Sequence, residues 1–274
     1  MIVHKGQLRF GYGTSGFSCH RLGDALRVIA NLGYEGVALT LDHQHLDPYA
    51  KDLARHVSLL SIDLDRLGLS LVIETGAGYL LDPWRRHSPT LLEPDREQRV
   101  DLLIRAVGLA ADLGADLVSF SSGIASPGVP DTMAWERLVA GCEVVLARAE
   151  ALNVRLAFEP DPDMFVSDLD GYDRLRKRLG NSKRFGLTLA IGRAEPQSAP
   201  DRVRRAGARL ANVHLHDVGG AAPEELSPAL TALSENGYRG LISVELPQHS
   251  HAAPAAAGDS LGYLRQACGI EVMS

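Results

Sequence analysis

The chain has 274 residues, 45% of them hydrophobic and 23% charged, which is enough apolar material for a substantial core and excludes a disordered or fibrous protein. Its formal charge is −6 at pH 7 with acidic and basic residues intermixed, so no long basic face is offered to a phosphate backbone and no nucleic-acid partner is expected. Cys19, Cys142 and Cys268 lie far apart without metal-type spacing, no apolar run approaches a membrane span, and the opening residues lack a signal-peptide core. The expectation is a cytoplasmic protein with no membrane partner.

A first strand is read in LRFGYGT, residues 8–14. Seven times after it, a helix-like segment ends in Gly or Asn and a short apolar strand follows. The marks are Gly33 before EGVALTL, Gly68 before LSLVIE, Gly114 before ADLVSF, Asn153 before VRLAFE, Gly180 before FGLTLA, Gly207 before LANVHLH, and Gly237 before LISVE. Gly and Asn tolerate the left-handed backbone that closes a helix, so each mark is a helix-to-strand turn. Between the strands, residues 22–32, 100–113 and 135–152 carry apolar side chains three and four apart. Eight strand–helix units in about 250 residues predict a (β/α)8 TIM barrel, a single domain over residues 1–274. The segment GYGTSG is not read as a phosphate-binding turn, because Phe17, Ser18 and Cys19 follow it rather than an immediate helix.

In such a barrel the chemistry sits at the C-terminal strand ends. His20 follows strand 1, His43 and His45 follow strand 2, and Glu74 closes strand 3, with His87 in the loop beyond. Glu159 closes strand 5, His214, His216 and Asp217 end strand 7, Glu245 closes strand 8, and His249 and His251 follow it. Of ten histidines only His4 and His56 lie elsewhere. Each has an ordinary alternative, a strand-end group that meets water or caps a backbone, but a concave mouth would hold them together. His43 and His45 are read as binding substrate hydroxyls or capping the next helix, and the strand 8 histidines as touching the rim. Residues 76–98 form too long a connection for a simple βα loop. There Tyr79 and Trp84 are placed to stack on a sugar or exclude water, and Arg85, Arg86 and His87 to meet an anionic group. The alternatives for this loop are a solvated excursion or a contact in a homo-oligomer.

Four segments carry a family resemblance: Phe158-Glu159-Pro160, GLTLAIGRA at 186–194, Val213-His214-Leu215-His216-Asp217, and Val244-Glu245-Leu246-Pro247. With them the chain resembles, over nearly its whole length, the xylose isomerase-like TIM barrel superfamily of sugar isomerases, ketose 3-epimerases, hydroxypyruvate isomerases and endonuclease IV. The resemblance implies a small sugar or sugar-like substrate and a divalent ion (Mn, Mg or Zn) held by Glu159, His216 and Glu245. It implies proton transfer beside a carbonyl, with Glu159 and Glu245 as the catalytic pair. The remaining candidates for substrate contact are His43, His45, Glu74, Trp84, Arg85, Arg86, Arg193, His214 and His249. The strand 6 pattern departs from the family: Ala190 stands where an aspartate ligand is expected, and Arg193 where a histidine is. Three readings follow. An ion is held by the remaining ligands with waters or His214; Arg193 replaces the ion's charge; or the barrel binds a sugar without catalysis. An endonuclease IV-like metal hydrolase is the other enzymatic reading, and the acidic balance argues against it.

Overall fold

The computed structural model describes residues 8–192, 198–216, 218 and 223–270. Eight parallel strands close into a barrel in sequence order, alternating with helices, so the fold is a (β/α)8 TIM barrel. The strands are β1 (Arg9–Gly13), β2 (Gly36–Thr40), β3 (Ser70–Glu74), β4 (Val118–Phe120), β5 (Leu156–Phe158), β6 (Phe185–Ile191), β7 (Leu210–Leu215) and β8 (Leu241–Val244). The helices are α1 (Leu22–Leu32), α2 (Leu53–Leu67), α3 (Glu97–Leu113), α4 (Asp131–Ala151), α5 (Leu169–Arg178), α6 (Ala199–Ala206), α7 (Pro223–Glu235) and α8 (Ala253–Ala267). No described helix is long and apolar enough to cross a membrane.

All seven helix-to-strand marks have positive φ, from 53° at Gly207 to 96° at Gly33, with Asn153 at 59°. Gly11, Gly13 and Gly16 have the letter spacing of a dinucleotide-binding turn. They nonetheless form the end of β1 and a 3-10 turn over Thr14–Phe17, with α1 starting only at Leu22. A long helix N-terminus, which would receive a phosphate, does not follow the glycines directly.

Two compact units are distinguished. One runs up to Leu39, includes Leu60–Ser70 and resumes at Leu189; the other holds Thr40–Leu59 and Leu71–Thr188. In the first, β1 pairs with β8 (Gly11 opposite Ser243) and β8 with β7 (Ser243 opposite His214). Its core includes Tyr12, whose ring meets Phe17 and Tyr34 edge-on at 5.5 Å each. The Tyr34 hydroxyl donates to the Ala257 carbonyl at 2.9 Å and so ties the end of α1 to α8. In the second, β3, β4, β5 and β6 pair in order, and Phe120, Phe158, Phe185 and Tyr172 cluster, with Tyr172 stacked on Phe185 at 5.9 Å. Each aromatic pair adds about 0.5–1.5 kcal/mol beyond its burial. The strands read as apolar runs because both faces of a parallel barrel sheet are covered.

Candidate active site

Alternation along β7 sends Ala211, Val213 and Leu215 to one face and Asn212, His214 and then His216 to the other. On β8 the same parity puts Ser243 and Glu245 together, and the register sets Ser243 beside His214. Asn212, His214 and Ser243 are all essentially buried, a polar file among strands otherwise built from Leu, Val and Ile. The Asn212 amide Nδ2 lies 2.9 Å from His214 Nε2, which accepts its hydrogen bond. The same Nε2 is 3.7 Å from Glu245 Oε1, an electrostatic neighbour beyond hydrogen-bond length. The His214 and His216 rings stand edge to face, 6.3 Å apart. Thus the structure brings three predicted residues, His214, His216 and Glu245, to one place.

Gly192 fixes where the chain after β7 lies. Its φ is +94°, and a Cβ there would fall 2.0 Å from the His216 carbonyl oxygen. The backbone of His216 also donates to the Ile191 carbonyl at 2.8 Å. A residue with a side chain at 192 would displace the very segment that carries His216.

Ala190 is buried, 3% exposed, on the same face of β6 as Thr188. Its carbonyl accepts a 2.9 Å hydrogen bond from Arg202 Nη2 on α6, and Arg202 is itself only 6% exposed. The methyl group offers no ligand, and the backbone oxygen at this position already has a charged donor. Arg193 and Asp217, both singled out in the sequence, lie outside the described residues.

Glu74 is buried at the end of β3, and its carbonyl accepts from Leu41 N at 2.9 Å. Glu159 follows β5 half-buried, with its backbone N–H donating to the Phe120 carbonyl at 2.9 Å. Ser119 on β4 and Thr188 on β6 share a buried hydroxyl hydrogen bond of 3.1 Å. After β2, Asp42 accepts from the backbone N–H groups of Gln44 and His45 at 2.9 and 2.7 Å. The His45 side chain is 0% exposed and its Nδ1 lies 3.6 Å from Asp42 Oδ2. Burial pulls the Asp42 pKa upward, but the hydrogen bonds to His45 and Gln44 outweigh it and hold the carboxyl below its ordinary range. His43 instead points outward, 65% exposed, and meets Asp47 at 3.1 Å. His249, within the 3-10 segment Pro247–Ala252, is exposed.

In the loop after β3 the predicted contact residues separate. Trp84 is 90% exposed, whereas Arg85 is committed to Asp82 at 2.8 Å and to Glu93 at 3.5 Å. Arg86 lies over Gly78, where a Cβ would be 3.1 Å from its Cγ. His87, at φ 60°, is partly buried, and burial together with Arg86 and Arg99 lowers its pKa, so the ring favours the neutral form. Sequence reasoning passed over Asn212, Arg202, Glu93 and Arg99. For Arg202 a signal exists: residues 199, 202, 203 and 206 form a helical stripe, and Arg202, Val203 and Ala206 of it are the buried residues of α6.

A TIM barrel with His214, His216 and Glu245 together at the ends of β7 and β8 is the class of protein that this fold and site define. Residues 26–267 match the family described as xylose isomerase-like TIM barrel, and the chain belongs to that family. No curated protein matches it in sequence. Among solved structures it is similar to an L-ribulose 3-epimerase (TM-score 0.77, 18% identity, covering 96% of this chain and 95% of that one). It is similar to a D-allulose 3-epimerase from Methylomonas sp. in complex with D-allulose (0.73, 19%, 95% and 97%). A 3-keto-D-glucoside 4-epimerase from E. coli is a third (0.74, 15%, 94% and 99%). At these identities the likeness is one of fold.

Proposed function

We propose that the chain is a sugar or sugar-phosphate isomerase or epimerase that moves a proton at the carbon beside a carbonyl, with Glu159 and Glu245 as its acid–base pair. The observation that carries the reading is the buried His214 imidazole 3.7 Å from Glu245 at the ends of β7 and β8. A barrel interior has little use for such a polar pair unless it serves the mouth above it. Glu159, at the end of β5, is the second carboxylate. One removes the proton as the other returns it to the opposite face of the same carbon. Glu74 and His45 are assigned to substrate hydroxyls. The three epimerases above, which act on sugars by name, support this substrate class.

The donor chemistry fits a divalent ion, since imidazole and carboxylate ligands suit Mn or Zn, and carboxylates suit Mg. Two groups have the composition for it, Glu159 with His214 and His216, and Glu74 with His214 and Glu245. His214 belongs to both, so we place it in the shell beside His216. Ala190 contributes no side-chain donor, which leaves the shell short of the aspartate. A bound ion supplies the positive charge that a carbonyl oxygen needs as its neighbouring proton leaves. The chain's own residues hold the sugar and exclude water.

The test is incubation with ketohexoses in D2O, followed by NMR. Deuterium at the carbon beside the carbonyl, lost in Glu159→Gln and in Glu245→Gln while circular dichroism is unchanged, is the expected result. The aspartate lost at Ala190 favours a second reading, a barrel that binds sugar without turning it over. Saturable binding with no exchange would establish that reading instead.

A further inference from the structure

Within the loop between β3 and α3, residues 88–93 form an unbroken buried run, with Leu91 and Leu92 at 0% exposure. A loop interior of this kind must find partners for its backbone groups. Two charged side chains supply them. Glu93, 8% exposed, accepts from the Thr90 backbone N–H at 2.6 Å, Ser88 Oγ at 2.9 Å, Ser126 Oγ at 3.2 Å and Arg85 Nη1 at 3.5 Å. Arg99, the first turn of α3, donates to the carbonyls of His87 at 2.9 Å, Pro89 at 3.0 Å and Thr75 at 3.5 Å. Arg137 on α4 adds a 2.8 Å hydrogen bond to the Leu92 carbonyl.

The lacing continues into the next two loops. Ser126 belongs to the connection after β4, and Thr90 Oγ1 donates to the Ile124 carbonyl at 3.4 Å. Gly123 has φ +77°, and a Cβ there would lie 2.5 Å from Thr90 Cγ2, so the two loops touch where only glycine fits. Phe165 N donates to the Gly123 carbonyl at 3.0 Å and Val166 N to Ser122 Oγ at 3.1 Å, which binds in the loop that begins at Glu159. At the outer end, Asp82 accepts from the N–H groups of Trp84 and Arg85 at 2.8 and 3.1 Å and holds the exposed indole on a closed turn.

We propose that Glu93 is a positioning residue, which laces the loops after β3 and β4 into a fixed wall and thereby sets how tightly the sugar is held at Trp84. The inference rests on the reading of this loop as a substrate contact. A fixed wall differs from a mobile lid in that it is ordered before any ligand arrives. Four donors converging on one buried carboxylate keep it so, since each charge-assisted hydrogen bond is stronger than a neutral one.

Hydrogen exchange on the ligand-free protein tests the wall by itself. The amides of residues 84–93 are expected to be protected in the wild type and to exchange on the order of tenfold faster or more in Glu93→Ala. Glu93→Gln, which keeps an acceptor and the volume, restores part of the protection. Gly123→Ala loosens the same amides from the opposite loop. With D-allulose as the probe, Glu93→Ala and Trp84→Ala raise KM several-fold while kcat stays close to wild type, the signature of lost uniform binding. Wild-type amides that exchange as fast as those of Glu93→Ala would overturn the proposal. So would loosened amides with an unchanged KM. A wild type that turns over no ketose, yet loses its loop protection in Glu93→Ala, sinks the functional reading and leaves the wall standing.

Discussion

Ala190 stands where the family resemblance implies an aspartate ligand, and Arg202 holds the backbone oxygen of the same residue. An aspartate restored there faces the interior with Thr188 and adds a hard oxygen ligand. We therefore expect Ala190→Asp together with Arg193→His to raise Mn affinity by roughly tenfold or more, and either change alone to do less, measured by titration calorimetry on the metal alone. No change in affinity would mean that His214, His216 and the glutamates do not form a metal shell at all. Asp42 carries a pH dependence of its own. Its folded pKa lies below the unfolded value, so its contribution is present above the ordinary carboxylate range and is lost as pH falls through the lowered value. Asp42→Asn should then cost stability at pH 7 and progressively less in acid, read from urea midpoints at a series of pH values. A penalty that is constant with pH would assign the effect to packing. At this scale the sequence was legible in the placing of Glu74, Glu159 and Glu245 at strand ends, because each closes or follows an apolar run. It was silent on Asn212, Arg202 and Glu93, because a buried polar residue is recognised by its partners, and those lie far away in the chain.

Element ends were the most legible feature and element starts the least. Each helix-to-strand turn has a residue that tolerates positive φ, a constraint on one position that a single letter can reveal. Helix starts are set by exposed first turns instead. The periodic apolar pattern finds α4 at Trp135, but the helix begins at Asp131, since its first three residues face water. α3 likewise starts at Glu97, three residues before the first periodic apolar side chain. The connection between β6 and β7 shows how one residue governs an element. Because Gly192 combines φ +94° with a backbone contact that no Cβ can occupy, Gly192→Ala should lower stability by about 2 kcal/mol or more. It should also disturb His216, so imidazole NMR shifts ought to move with the fall in denaturation midpoint. A variant with a wild-type midpoint would show that the segment after β7 is free to shift, and that its placement of His216 is not imposed by β6.

For the whole molecule, the repeated helix-to-strand marks were enough to predict the class of fold, because eight alternating units of this length have few other ways to bury their strands. Domain number is the remaining question at this scale. The boundary between the two compact units falls inside β2, between Leu39 and Thr40, inside β3, between Ser70 and Leu71, inside β6, between Thr188 and Leu189, and inside α2, between Leu59 and Leu60. Independent domains meet in exposed linkers, where few contacts are lost by separation. A cut through three strands and a helix leaves each part with fragments too short to be stable alone, since strand residues are held by ladders that run along the whole element. Residues 1–274 are therefore expected to unfold as one domain. Scanning calorimetry should give one endotherm whose calorimetric and van't Hoff enthalpies agree, with a heat-capacity change of about 3–4 kcal/mol/K for a chain of 274 residues. Two resolved transitions, or a calorimetric enthalpy well above the van't Hoff value, would mean that the halves fold separately and that the barrel is not a single cooperative body.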